Sequence, residues 1–92
     1  MSDTAETELT ICNQKGLHAR AAAAFVKCVS EYDADVTVEK DGQVVDGSSI
    51  LSLMMLAASK GVIIKVRACG ENAQEVINNL TYLVNSRFGE EE

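Results

Sequence analysis

The chain has one histidine, His18, two residues after Gly16 and two before Arg20. Gly16 can adopt positive φ and turn the backbone sharply. Ala21 to Ala24 follow with the highest helix propensity available. A helix is therefore expected to start at about His18, which stands in the cap position. Ser, Thr, Asp and Asn are absent from positions 16 to 19, so the first backbone N–H groups have no obvious local acceptor. Free N–H groups at the positive end of a helix dipole form an anion site. Arg20 adds a planar cation suited to phosphate oxygens. The grouping reads as a nucleophile beside an anion cradle.

Helix end and guanidinium both disfavour imidazolium, which keeps the ring neutral and nucleophilic near neutral pH. After attack on a phosphoryl group the same donors would stabilise the new dianion. That chemistry suits reversible phosphohistidine formation, in which the group is held without hydrolysis. A five-residue pattern alone is equally compatible with a surface histidine that only caps a helix. A hydrolase using His18 with Ser48, Ser49 or Ser52 is disfavoured, because nothing supplies a third orienting residue, an oxyanion loop or a pocket.

The elements that must position the junction follow from periodicity. Glu8 to Cys12 alternates as a strand, with Leu9 and Ile11 inward. Asn13 to Gly16 form the loop into the junction, and Asn13 is either a turn residue or within reach of the histidine. In the first helix Ala22, Phe25, Val26, Val29 and Tyr32 mark the buried stripe. Ala19, Ala23 and Lys27 form a small-residue face that a partner could approach closely. Val36 to Lys40 and Gln43 to Asp46 flank Asp41-Gly42, a hairpin signal.

Ser48 or Ser49 then caps a second helix with two apolar faces. Leu53, Leu56 and Ala57 lie on one, and Ile50, Leu51, Met54 and Met55 on the other. One face must be core; the other is an apolar, methionine-containing patch suited to docking. Val62 to Cys69 is the longest strand. A third helix is expected from about Asn72 to Arg87, with Ala73, Val76, Ile77, Leu80, Leu83 and Val84 inward. The order β-α-β-β-α-β-α predicts an α+β fold, an antiparallel sheet with the helices on one face.

Composition narrows the function. Ninety-two residues, 47% of them apolar, make one small domain without room for a buried multi-residue catalytic pocket. No apolar run approaches membrane-spanning length and no signal segment is visible, so a cytoplasmic protein without membrane insertion is expected. Three cysteines with no Cys-x-x-Cys pair support neither a disulfide framework nor a metal site, and no cofactor is implied. Of the formal charge of −6, the surplus acids lie at Asp3, Glu6, Glu8 and Glu90 to Glu92. The body between is balanced, which argues against nucleic-acid binding. Residues 1–7 and 89–92 read as frayed, solvated tails of a single 1–92 domain.

Gly16-Leu17-His18-Ala19-Arg20, followed by an apolar helix, Ser49-Ile50-Leu51-Ser52-Leu53-Met54-Met55-Leu56 and Lys60-Gly61, resembles the HPr family of phosphocarriers of the bacterial phosphotransferase system. The likeness runs from about Leu9 to Phe88. It implies an open-faced sandwich with four strands ordered 1-4-2-3 and three helices, in a monomer. It also implies that His18 takes a phosphoryl group on Nδ1 from enzyme I and passes it to an enzyme IIA domain, with Arg20 assisting. Partner docking falls to Ala23, Lys27, Ile50, Leu51 and Met54. Ser49 matches the serine at which a dedicated HPr kinase/phosphorylase acts in many bacteria, so a regulatory module of the same fold is the alternative. Family members usually have proline where this chain has Ala21; the change leaves one more N–H donor near the phosphate. The segments Leu53 to Leu56 and Asn85 to Glu90 are more similar to the nitrogen-regulatory branch than to the sugar-transport branch.

Overall fold

A computed structural model describes residues 3–92. Strands β1 (Thr4–Thr10), β2 (Ala34–Lys40), β3 (Gln43–Asp46) and β4 (Ile63–Gly70) alternate with helices α1 (Ala19–Ser30), α2 (Ile50–Met55) and α3 (Ala73–Asn85), and a 3-10 turn spans Arg87–Gly89. The sheet has four strands in the order β1-β4-β2-β3, every pairing antiparallel. This is the open-faced α+β architecture expected above.

Alternation along the strands sends one set of side chains to each face. Leu9, Val36, Val38, Ile64, Val66 and Ala68 are buried, whereas Glu6, Glu8, Lys65 and Arg67 between them are exposed. The inner face meets Ala22, Phe25 and Val29 of α1 and Val76, Leu80 and Val84 of α3, so both helices bury stripes of period 3.6 against the sheet. In the β2–β3 hairpin Asp41 and Gly42 have φ of 48° and 83°, which matches the right-handed twist of the flanking strands.

Three expectations are corrected. Residues 4–7 are not frayed: they open β1, with Thr4 opposite Cys69 and Thr7 opposite Val66. Their sequence hides this because one side of the segment is polar and solvated while the other offers only Ala5 and Thr7 to the core. The remainder of that tail, residues 1–2, lies outside the described residues. Helix α3 closes at Asn85, because Arg87 and Phe88 are left-handed. Ala57 does not join Leu53 and Leu56 in the core. Helix α2 has already ended at Met55, and Ala57 is exposed at φ 52°.

Candidate phosphoryl site

The junction is built by backbone contacts that residue types alone would permit at few other places. Gly16 has φ of 69°, and a Cβ on it would lie 2.6 Å from the Ala58 oxygen. The Leu17 N–H donates to that same oxygen at 2.9 Å, which pins the loop against the segment after α2. His18 then caps α1 in extended conformation, and its carbonyl accepts from the Ala22 N–H at 2.8 Å. Its side chain makes no capping bond. Among the described residues the amides of Ala19, Arg20 and Ala21 find no acceptor, so the helix end keeps its donors available. Arg20 is exposed and lines the same cleft as His18, together with Gln14, Lys15, Glu90, Glu91 and Glu92. On its other side His18 borders a shallow recess formed with Lys15, Leu17, Ala57, Ala58 and Ser59.

Residues 89–92, expected to be a frayed tail, are instead part of the site. Arg87, Phe88 and Gly89 take φ of 59°, 55° and 81°, a run of left-handed residues that turns the chain back over the junction. Phe88 packs against the core. Glu90 then reaches His18, with Oε2 2.5 Å from Nε2. Its other oxygen accepts from Asn13 Nδ2 at 3.0 Å, and the same Nδ2 donates to the Gly16 carbonyl at 2.8 Å. The Gln14 N–H donates to the Glu92 carbonyl at 2.8 Å, and Arg87 Nη1 to the Glu91 carbonyl at 2.7 Å. The hydrogen bond from His18 holds the Glu90 carboxyl below the ordinary glutamate range; partial burial opposes this, and Asn13 and the charges of His18 and Lys15 reinforce it.

Asn13 is the one fully buried polar side chain among the described residues, and its Oδ1 has no partner there. Its amide is oriented by its two acceptors: the reverse orientation would set Oδ1 against the Glu90 carboxylate and the Gly16 carbonyl. Sequence reasoning placed Asn13 in the loop and missed Glu90 altogether. An acidic run after Gly89 has the pattern of a solvated end, and nothing local ties it to residue 18.

Ser49 is the N-cap of α2, its Oγ accepting from the Ser52 N–H at 3.2 Å. Ser48 faces away from that role and donates from Oγ to Asp46 Oδ1 at 2.7 Å, which with its backbone N–H draws the Asp46 carboxyl below its usual range. Leu53 and Leu56 are buried, whereas Ile50, Leu51, Met54 and Met55 are 40%, 74%, 40% and 72% exposed. The apolar patch expected on α2 is therefore solvent-facing. Ala23 and Lys27 are exposed on α1, which packs beside α2. Lys40 Nζ donates to the Leu56 carbonyl at 2.9 Å and so caps the far end of α2.

Residues 5–86 match the family model described as PTS HPr component phosphorylation site. A phosphocarrier protein HPr of Pseudomonas aeruginosa is 46% identical over 86 residues, covering 92% of this chain and 96% of that protein. A phosphocarrier protein NPr of Shewanella violacea is 35% identical over 85 residues, covering 92% and 93%. Among solved structures, HPr-C-His from Thermoanaerobacter tengcongensis superposes with a TM-score of 0.92 at 41% identity, covering 96% of this chain and 99% of that one. Fold and sequence thus define a small histidine-bearing α+β domain of the phosphotransferase system. The chain belongs to the HPr family of phosphocarriers.

Proposed function

We propose that the chain carries a phosphoryl group on His18, accepting it from enzyme I and delivering it to an enzyme IIA domain of the phosphoenolpyruvate-dependent phosphotransferase system. The observation that carries this reading is the cap position of His18: its side chain is not spent on capping, and Nδ1 makes no hydrogen bond among the described residues. In the transfer the Nδ1 lone pair forms a bond to phosphorus while the donor's bond to phosphorus breaks, its electron pair staying with the donor. The phosphoryl oxygens then face the unpaired amides of α1 and the Arg20 guanidinium, which offset their charge. The protein is modified once per molecule and does not turn over.

Docking of both partners is assigned to Ala23, Lys27, Ile50, Leu51 and Met54. The exposure of those apolar side chains supports that assignment, since an unpartnered patch of this kind suits reversible association. Relatives named HPr and NPr both align along almost the whole chain, so the branch, sugar transport or nitrogen regulation, is decided by which purified enzyme I phosphorylates it. A second reading, a protein-binding module switched by phosphorylation at Ser49, is favoured by the position of that hydroxyl at the N-cap beside Ile50. Incubation with enzyme I and phosphoenolpyruvate should give stoichiometric, acid-labile label in the wild type and none in His18→Ala. That variant should keep its fold to within about 1 kcal/mol, as a cap-position side chain contributes no more. Acid-labile label in His18→Ala would overturn the carrier reading.

A further inference from the structure

We infer that Glu90 is a positioning residue for the transfer, fixing the proton of His18 on Nε2 so that Nδ1 presents its lone pair to phosphorus. This role rests on the carrier reading above. A carboxylate offers only acceptors, so its contact with Nε2 requires that nitrogen to be the donor. A neutral imidazole with Nε2–H has its free pair on Nδ1. As Nδ1 bonds to phosphorus and the donor's electron pair departs, the ring becomes positive while Nε2 keeps its proton. The carboxylate already in contact then stabilises that charge without having to reorganise.

Glu90 is itself held from two directions. Asn13, fully buried, donates to Oε1 and is anchored in turn on the Gly16 carbonyl, at the base of the loop that presents His18. The left-handed run from Arg87 to Gly89 is a conformation that side chains other than glycine rarely adopt, and the packing of Phe88 holds it in place. An incidental surface contact needs neither a buried amide nor such a turn. The other charged groups around the ring are Lys15 and Arg20 on the junction side and Glu91 and Glu92 on the tail side. None of these makes a hydrogen bond to the ring, so the proton's position depends on Glu90.

The test compares wild type, Glu90→Ala and Glu90→Gln, using phosphorylated enzyme I and, separately, phosphoramidate, a small donor that forms no protein interface. Glu90→Ala should lower kcat about ten- to a hundredfold, the worth of one charge-assisted hydrogen bond, with KM for enzyme I unchanged within about twofold. The deficit should appear with phosphoramidate as well. The ring ¹⁵N shifts of His18 should show an Nε2–H tautomer in the wild type, a mixture in Glu90→Ala, and the Nε2–H form again in Glu90→Gln, whose amide oxygen still accepts. Wild-type rates in Glu90→Ala, a deficit with enzyme I alone, or an unchanged tautomer would overturn the role. Failure of the wild type to be labelled on His18 in the same assay would overturn the carrier reading instead, and with it this inference.

Discussion

Gly16 and Ala58 touch through their backbones: the oxygen of Ala58 occupies the space where any other residue at position 16 would place its Cβ, 2.6 Å away. The loop that presents His18 and the loop that leaves α2 are therefore one packed unit.

Gly16→Ala should accordingly combine a left-handed alanine with a steric conflict. Such strain costs roughly 1–3 kcal/mol, and a urea titration should show a lower midpoint. Phosphoryl transfer should fall further than stability does, since His18 is displaced with the loop. A variant with wild-type midpoint and wild-type transfer would show that the contact does not constrain the site.

Arg20→Ala should slow transfer about ten- to a hundredfold, from loss of one charge-assisted contact worth roughly 1.5–3 kcal/mol in the transition state. Arg20 is exposed and makes no hydrogen bond among the described residues, so the melting temperature should barely move. Stopped-flow transfer from enzyme I measures the first effect and calorimetry the second; unchanged kinetics would take Arg20 out of the site.

Ser49 and Ser48 should separate as regulatory positions. Phosphate at Ser49 would sit at a helix N-terminus that tolerates negative charge, yet beside an apolar patch that must be desolvated on docking. Ser49→Asp, a partial mimic, should raise the concentration needed for half-maximal transfer from enzyme I. Ser48→Asp should raise it less, because that side chain is turned toward Asp46. Identical concentration curves for Ser49→Asp and wild type would leave Ser49 as a cap.

The Glu90 contact should give stability a definite pH dependence. Its carboxyl is held below its ordinary value of 4.5 when folded, so the stabilisation is present above that value and is lost as pH falls through the lower, folded value. The difference in melting temperature between wild type and Glu90→Gln should be largest near neutrality and should shrink on acidification below pH 4.5. A difference that stays constant down to the acid unfolding limit would mean that Glu90 contributes nothing through its charge.

What could be read from the sequence was what local pattern encodes. The stripe Ala22, Phe25, Val29 and the alternation Ile64, Val66, Ala68 leave few alternatives, and both are buried as expected. The glycine turn, the uncapped helix start and Arg20 lie within five consecutive residues, so the junction was legible too. Glu90 was not, because its meeting with His18 spans 72 positions and depends on left-handed Arg87 and Phe88, residue types that rarely take that conformation. Asn13 lay in plain view, but its importance comes from burial between two acceptors that only the folded chain brings together. Ala57 shows the opposite failure: a helical period was extended past the residue at which α2 stops.

Because a turn of three residues ties Glu90 to α3, the carboxylate is a tethered ligand of the imidazole, present at an effective concentration of about millimolar or above. Dissolved carboxylates at lower concentrations cannot displace it. Loosening Phe88 from its packing would dilute that ligand and so weaken the pairing, with neither His18 nor Glu90 altered.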